Sequence, residues 1–386
     1  MTSPATRLEY LDAMRATLMM LGVALHTSQI YNPGLTWLIS SDDESAFFYY
    51  LSHVIAAFRM PTFFFLSGFL SMLVLARRGP RAFMSLRIKR LVIPLLTTAL
   101  TLNVLQAWLL NVTHWRSIGF ADFFLRGEWL QHLWFLVDLL LYVSVLSLAT
   151  TYGRSRASSR ALRFLCERVP FVLLLAALPL LQVLFAAPGT LGLPVHRELI
   201  GTMTFLTLTQ YLPFFAVGAL AYSKEKFFDK FSSQPLPLLA LGLALAVGIR
   251  EFVPLLPSPA ETAADTYLHF AINWLCICAF LRLFRMLVRR VTPTLRYLSD
   301  ASYTVYLFHH IIVICLGLVF IDLSVSPALA YVLIVPITLL TTFLLHSFVV
   351  GRYEAISLLF NGRRPRGSRG TTRAVDSNRP ASALTP

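Results

Sequence analysis

The sequence predicts an all-α integral membrane protein, and two observations support that fold class. Of the 386 residues, 56% are hydrophobic and only 13% are charged, with a mean hydropathy of +0.67. A soluble domain of this length usually carries roughly 25% charged residues. The apolar residues also gather in stretches of about 18 to 25, the length at which a helix crosses a hydrocarbon core. Because backbone groups in lipid must be hydrogen-bonded internally, each stretch is expected to be helical.

The apolar stretches predict about ten transmembrane helices. They lie at 13–32, 58–76, 91–112, 129–150, 170–187, 202–222, 236–256, 266–288, 301–322 and 328–350. The aromatic stretch 46–57 either extends the second span or lies in the interface. The first span lacks a small-residue cleavage pattern after it, so it is expected to be retained. One transmembrane domain, 13–350, would then separate an N-terminal segment, 1–12, from a basic tail, 351–386, expected to be disordered from about 361.

Positive charge predicts the orientation of these helices. With the N-terminus in the cytoplasm, most of the 33 Lys and Arg residues fall on that side, in segments 77–90, 151–169, 223–235, 282–297 and 351–386. The opposite side keeps four, Arg116, Arg126, Arg197 and Arg250. This asymmetry predicts that both termini are cytoplasmic. The net charge of +14 therefore encodes topology and attraction to membrane lipids, not a nucleic-acid partner. The four cysteines show no metal-ligand spacing, so no metal site is predicted.

Two ionisable residues, Arg15 and His26, share one face of the first predicted helix. At about 100° per residue, their separation brings the two side chains to within about 20° of the same direction. A rise of about 1.5 Å per residue sets them about 16 Å apart along the axis. Asp12 lies one turn before Arg15 and is its natural partner. Such residues are costly in lipid, so this stripe predicts a polar cavity reached from both sides. The alternative is that each hydrogen-bonds between helices in a structural role.

Arg87 and Arg90 share a face at the cytoplasmic start of the third predicted span. A pair of guanidinium groups suits a phosphorylated ligand, because arginine binds phosphate through two parallel hydrogen bonds. An ordinary topology signal is the competing interpretation.

Three further groups of polar residues fall in the second, fourth and ninth predicted spans. Arg59 lies near the external end of the second span, where an uncompensated cation is expensive. Ser67-Gly68 in the same span favours close helix packing. His132 and Trp134 begin the fourth span, although the tryptophan also fits an interfacial anchor. In the ninth span, Tyr303, Tyr306 and His310 lie near one stripe and His309 is turned about 100° away. At least one of the two histidines is expected to line the cavity.

Together these residues resemble the acyltransferase 3 family of multispan membrane enzymes. Arg15 and His26 match its Arg–ten residues–His signature, and Arg87 and Arg90 match its cytoplasmic arginine pair. Three more of its motifs are matched by Phe63 to Phe69, by His132-Leu-Trp134-Phe135-Leu and by Tyr306-Leu-Phe-His309. Within the family the chain is similar to the glucans biosynthesis protein C group, on the segments Glu9-Tyr10-Leu-Asp12, Phe58-Arg59-Met60 and Tyr211-Leu-Pro-Phe-Phe and the doubled His309-His310. Asp300 stands where this resemblance leads one to expect a neutral residue.

The resemblance implies an enzyme of the bacterial inner membrane that transfers an acyl group, above all succinyl, from cytoplasmic acyl-CoA to hydroxyls of osmoregulated periplasmic glucans. Succinyl-CoA or another acyl-CoA would be a co-substrate, and no bound cofactor is implied. Arg87 and Arg90 would hold the CoA phosphates, with Arg15 further along the path of the donor.

The chemical steps would be carried out on the external side. His26 either acts as a general base on a glucosyl hydroxyl or carries the acyl group itself. His309, Tyr306 or His132 would orient His26 or stabilise the oxyanion. Arg59 would hold the free carboxylate of a succinyl group. His132, Trp134 and His310 are also expected on the acyl and acceptor side, whereas Asp12, Ser67 and Gly68 are expected to support the structure.

Two other functions stay open at this point. The first is an O-acetyltransferase that acts on a lipid-linked or surface polysaccharide through the same cavity. The second is a transporter of a glycan or lipid intermediate, which would favour broken helices and paired repeat halves; no clear halves are found in the sequence. Nothing in the sequence predicts the oligomeric state.

Overall fold

The computed structural model describes residues 4–363 except 36, 153–163, 165, 191, 202, 259 and 291. Fourteen α-helices are described within these ranges. The first seven are α1 (Pro4–Ile30), α2 (Ala46–Leu100), α3 (Leu102–Val112), α4 (Phe120–Leu125), α5 (Trp134–Tyr152), α6 (Phe171–Thr190) and α7 (Phe205–Gln210). The others are α8 (Leu212–Ser223), α9 (Glu225–Ser232), α10 (Leu236–Arg250), α11 (Ala260–Leu287), α12 (Pro293–Asp322), α13 (Pro327–Leu345) and α14 (Glu354–Asn361).

The structure agrees with an all-α membrane protein. Eight helical stretches of the described residues are long and apolar enough to cross a membrane. One of them, Ala46–Val112, covers both the second and the third predicted spans, because α2 is broken at Gly79, where φ is 74° and ψ is 166°. The first predicted span is a 27-residue helix, α1, which is not among the eight because its polar residues lower its hydropathy. The count of about ten spans and the cytoplasmic termini stay predictions.

Several helix boundaries differ from the predicted spans. The aromatic stretch 46–57 is helical and continuous with the second span. The sixth predicted span, 202–222, consists of two shorter helices, α7 and α8, which meet at Tyr211. The seventh ends as a regular helix at Arg250 and continues as a 3₁₀ turn, Val253–Leu255. The eighth and ninth begin earlier than predicted, since α11 starts at Ala260 and α12 at Pro293.

Outside the long helices the structure contains short elements that hydropathy did not predict. An antiparallel pair of strands, β1 (Glu198–Ile200) and β2 (Met203–Thr204), joins α6 to α7. The amphipathic helix α9 buries Phe227, Phe228 and Phe231. Part of the predicted tail is also folded, because α14 extends to Asn361 and Arg363 forms an ion pair with Asp300. Residues 364–386, where disorder was predicted, lie outside the described residues.

Close packing of α2 against α8 fixes the centre of the bundle. A Cβ atom added at Gly68 would collide with the carbonyl oxygen of Phe215, and one added at Gly218 would collide with that of Phe65. The two glycines therefore let the helix backbones touch directly, as small residues do between membrane helices. Around this contact the phenylalanines of α2 and α8 form a large buried apolar cluster with α5 and α11. That cluster holds α1, α2, α5 and α12 around the candidate site.

Candidate active site

Two cavities lie one above the other along α1. The inner cavity, on the side predicted to be cytoplasmic, has a volume of about 260 Å³ and includes Arg15, Arg87 and Arg90 in its lining. The outer cavity has a volume of about 230 Å³ and includes His26 and Arg59. Each of the four surrounding helices contributes to both cavities, since α1, α2, α5 and α12 all place residues in each lining. The arrangement gives one path along α1, with polar groups at both ends, that is interrupted in the middle.

Three apolar residues separate the two cavities. Met19, Phe63 and Phe135 line both of them, so they form a shared boundary, here called the wall. The rings of Phe63 and Phe135 meet edge to face with their centroids 4.7 Å apart. Met19 lies between Arg15 and His26 on the same face of α1, at spacings of four and seven residues. The wall therefore stands on the line between the two residues that the sequence singled out.

His26 is oriented by one hydrogen bond and by three rings. Its Nδ1 lies 2.7 Å from Oε1 of Gln29, one turn further along α1. Because an amide oxygen only accepts, this bond places a proton on Nδ1 and leaves Nε2 with the lone pair. The imidazole stacks on Trp37 at 5.5 Å and contacts the rings of His309 at 5.3 Å and His310 at 4.9 Å. Gln29 was not predicted, although its i, i+3 spacing from His26 is a usable signal.

The two adjacent histidines of α12 lie behind His26. Both are buried, and neither belongs to the lining of the inner or the outer cavity, whereas at least one was expected to line the site. His309 donates from Nδ1 to the carbonyl oxygens of Val305 at 3.0 Å and Tyr306 at 2.8 Å. Nδ1 of His310 lies 2.7 Å from Oε1 of Gln106, in α3. These bonds hold both rings against His26, and His309 Nε2 has no hydrogen-bond partner among the described residues.

His132 enters the same cluster from a strained turn. It lies in a short 3₁₀ helix, Gln131–Leu133, and Gln131 has a φ of 40°, a conformation that costs energy outside glycine. The His132 ring stacks on His310 at 4.5 Å and lines the outer cavity, and neither of its nitrogens has a partner within the described structure. Tyr306 donates its hydroxyl proton to the His132 carbonyl oxygen at 2.9 Å. Four histidines, from α1, from α12 and from the 3₁₀ helix before α5, thus form one cluster of ring contacts.

Arg59 is a buried cation in the lining of the outer cavity. Its side chain is 8% exposed, and Nε donates to the carbonyl oxygen of Leu18 at 3.1 Å. The guanidinium packs against Gly22, where an added Cβ would lie 2.6 Å from Nη2 and 3.3 Å from Nε2 of His309. The missing side chain at Gly22 therefore makes room for Arg59 beside the histidines. Trp134 and Tyr211 complete this lining, with their rings stacked at 5.6 Å.

The inner cavity is lined by arginines whose partners are carboxylates and hydroxyls. Arg15 lies 3.5 Å from Asp12, as the sequence spacing suggested, and also donates to the Ser299 hydroxyl at 3.4 Å. Arg87 donates to the Ser71 hydroxyl at 3.0 Å. Ser67 faces this cavity as well.

Several residues near the cavities were not predicted from the sequence. Asn361 and Arg363, at the end of α14, line the inner cavity together with Asp300. Asp138 of α5 is fully buried, and neither of its carboxylate oxygens has a hydrogen-bond partner among the described residues. A search of the described residues finds no group of three His, Cys, Asp or Glu side chains arranged to hold a metal ion.

The two cavities suit different chemical tasks. Arginines at a cavity mouth bind polyanions such as phosphates through charge-assisted hydrogen bonds. Histidines with a fixed tautomer accept and return protons near neutral pH. The lining of the inner cavity suits anion binding, and the lining of the outer cavity suits proton transfer.

Comparison with known proteins identifies the family of the chain. A family model described as an acyltransferase domain matches residues 8–347, nearly the whole chain. Glucans biosynthesis protein C of Salmonella typhimurium is 28% identical over 396 residues, which cover 95% of this chain and 98% of the relative. The proteins of the same name from Salmonella heidelberg and Salmonella typhi are each 28% identical over 388 residues, covering 94% of this chain and 96% of each relative. No solved structure matches the chain. The chain belongs to the acyltransferase 3 family of membrane enzymes.

Proposed function

We propose that this protein transfers an acyl group, specifically succinyl, from cytoplasmic acyl-CoA to hydroxyl groups of a periplasmic glucan at the bacterial inner membrane. The observation that supports the proposal is an arginine-lined cavity joined end to end with a histidine-lined cavity, across a wall of three apolar residues. The relatives are named glucans biosynthesis protein C, which supports a glucan acceptor.

In this proposal the donor occupies the inner cavity. The CoA phosphates bind Arg87 and Arg90 at its mouth, and Arg15 lies deeper along the same lining. The pantetheine arm then runs along α1 towards Met19. The thioester must pass the wall to reach His26, because Met19, Phe63 and Phe135 are the residues that both cavities share.

In the outer cavity His26 carries out the proton transfer. In a one-step route, Nε2 takes the proton of a glucosyl hydroxyl while the hydroxyl oxygen attacks the thioester carbonyl carbon. The carbon–sulfur bond breaks, the thiolate receives the proton from His26, and the products are a glucan ester and free CoA. In a two-step route, Nε2 itself attacks the thioester carbonyl carbon, the carbon–sulfur bond breaks, and an acyl-imidazolium forms as the CoA thiolate leaves. The glucosyl hydroxyl oxygen then attacks the acyl carbon, its proton passes to the thiolate, and the carbon–nitrogen bond breaks to regenerate neutral His26. Both routes need the tautomer that the Gln29 contact favours.

The neighbouring groups take supporting roles. His309 and His132 carry ring nitrogens without partners among the described residues. The His309 ring contacts His26 at 5.3 Å and the His132 ring contacts His309 at 5.5 Å, so His309 orients His26 directly and both rings are available to stabilise the oxyanion. Tyr306, whose hydroxyl is engaged by the His132 carbonyl, acts as a positioning residue. Arg59 is the cation available for the free carboxylate of a succinyl group in the outer cavity.

Substitution of His26 tests the proposal. In a strain that carries His26→Ala, succinyl substitution of periplasmic glucans should fall by about 10²- to 10⁴-fold, the usual contribution of a general base, and mass spectrometry of the extracted glucans measures it. His53→Ala is the matched control, because His53 is exposed at the start of α2. Normal succinylation in the His26→Ala strain contradicts the mechanism.

A deletion strain distinguishes the substrate. Loss of succinyl groups from glucans that are otherwise present supports the proposal. Loss of acetyl groups from another polymer indicates an O-acetyltransferase, and loss of the whole glucan from the periplasm indicates a transporter.

A further inference from the structure

The chain beyond the last long helix returns to the mouth of the inner cavity. α14 (Glu354–Asn361) ends beside the arginines, and both Asn361 and Arg363 belong to the cavity lining. Asn361 is only 6% exposed, and its Oδ1 has no hydrogen-bond partner in the described part of the chain. A buried amide oxygen in this state is costly. The end of this segment is therefore part of the lining of the inner cavity.

Two contacts dock the segment firmly. Gly362 adopts a left-handed conformation with φ of 59°, and a Cβ atom there would collide with the carbonyl oxygen of Lys89. The segment thus packs directly on the backbone that precedes Arg90. Two residues before Gly362, the ring of Phe360 packs against Phe308 of α12, with the ring centroids 4.8 Å apart. Arg363 is placed at the cavity by these contacts and not by its ion pair alone.

The charges around Arg363 show what it is suited to bind. Arg363 Nη2 lies 3.2 Å from Oδ1 of Asp300, and both side chains are about 30% exposed. An ion pair this exposed contributes on the order of 0–1 kcal/mol, so replacing one partner costs little. Phosphate oxygens supply the same contacts with more charge, through bidentate hydrogen bonds. Arg15, Arg87 and Arg90 already give the cavity a cationic lining that attracts such a ligand.

We propose that Arg363 is a further donor-binding residue, which exchanges Asp300 for a phosphate group of the CoA donor. Asp300 then holds Arg363 in position while the cavity is without donor, and the C-terminal segment forms one side of the donor site. This inference rests on the proposed function only in the identity of the donor. Lipid headgroups carry the same phosphate chemistry, and the experiment below separates the two sources.

Binding of CoA to the full-length protein in nanodiscs tests the inference without turnover. Arg363→Gln should weaken CoA binding about tenfold, the loss expected for one charge-assisted hydrogen bond, and should leave binding of pantetheine, which lacks phosphate, unchanged. Asp300→Asn should tighten CoA binding, because it removes the competing carboxylate. Arg352→Gln is the matched control, since Arg352 is exposed in the same segment and is not part of the cavity lining.

Three outcomes overturn the inference. CoA affinity that is equal in Arg363→Gln and wild type removes Arg363 from the donor site but leaves the proposed function intact. A loss in Arg363→Gln that appears only as weaker stabilisation by anionic lipid assigns the phosphate to a headgroup. Failure of the wild-type protein to bind CoA at all refutes both the inference and the proposed donor. Arg363→Lys separates binding from folding, because it keeps the charge and should recover part of the affinity.

Discussion

The inner and outer cavities are similar in size and share four helices, but their charged and titratable side chains have different partners and different exposure. In the inner cavity two of the arginines face carboxylates, Arg15 with Asp12 and Arg363 with Asp300, and these pairs are partly exposed. In the outer cavity the described lining contains no carboxylate, and His26, His132 and Arg59 are held by backbone or amide groups or by stacked rings. Weak, exposed ion pairs allow an incoming anion to exchange with a carboxylate. Fixed, buried groups keep a reaction geometry. Under the proposed function, the inner cavity binds the donor and the outer cavity carries out the chemistry. Substitutions in the two cavities should then change different kinetic constants.

Closing the wall is expected to have the largest effect on this separation. Met19→Trp places a bulky ring where the thioester must pass, and it should lower succinyl transfer about a hundredfold, the cost of a misplaced reacting group, while CoA binding is retained. Transfer rates and CoA affinity of the purified protein measure the two effects. Leu141→Trp is the control for adding the same side chain, because Leu141 is 44% exposed on α5. Wild-type transfer by Met19→Trp means that the acyl group takes another route.

Removing the buried cation of the outer cavity should change donor preference. Arg59→Ala is expected to reduce succinyl transfer about tenfold more than acetyl transfer, because only the succinyl group brings a free carboxylate to be paired. The measurement compares kcat/KM for succinyl-CoA and acetyl-CoA. Arg59→Lys keeps the charge and should preserve part of the preference. An equal loss with both donors assigns Arg59 to a group that the two share, such as the thioester oxyanion.

A smaller effect is expected from crowding Arg59 without removing it. In Gly22→Ala the new Cβ would lie 2.6 Å from Nη2, so the guanidinium must shift within the outer cavity. Succinyl transfer should fall about threefold to tenfold, an increase in the barrier of up to about 1.4 kcal/mol, with CoA affinity unchanged. Gly248→Ala is the matched control, since a Cβ there meets nothing within 4 Å. A change in CoA affinity in Gly22→Ala would show that the two cavities are coupled.

Helical periodicity predicted the two ends of the path, but not what lies between them. Arg15 and His26 stand out because lipid rejects them. Met19 gave no signal in the sequence and Phe63 was noted only within a family motif, so their place between the two cavities could not be predicted. Gln106 lies 204 residues from His310, so no local spacing indicates their contact.

The last described residues show a second limit of prediction from sequence composition. Composition placed residues after 361 in a disordered tail, because arginine, glycine and proline dominate there. Arg363 is nevertheless fixed by Gly362 and by Asp300. A composition average over the tail hides a docking contact made by its first few residues.

The apolar wall also bears on the energy supply of the cell. Two polar cavities that face opposite sides of a membrane would, if joined by water, conduct protons and ions and dissipate the transmembrane potential. Met19, Phe63 and Phe135 present methyl, thioether and ring surfaces that offer a hydrated ion no ligand, and constrictions of this kind stay dewetted. In the proposed function, the acyl thioester would have to part these side chains to reach the outer cavity. A carboxylate-bearing group such as succinyl would cross more easily if a cation lay on the far side of the wall. Arg59, in the lining of the outer cavity, is such a cation.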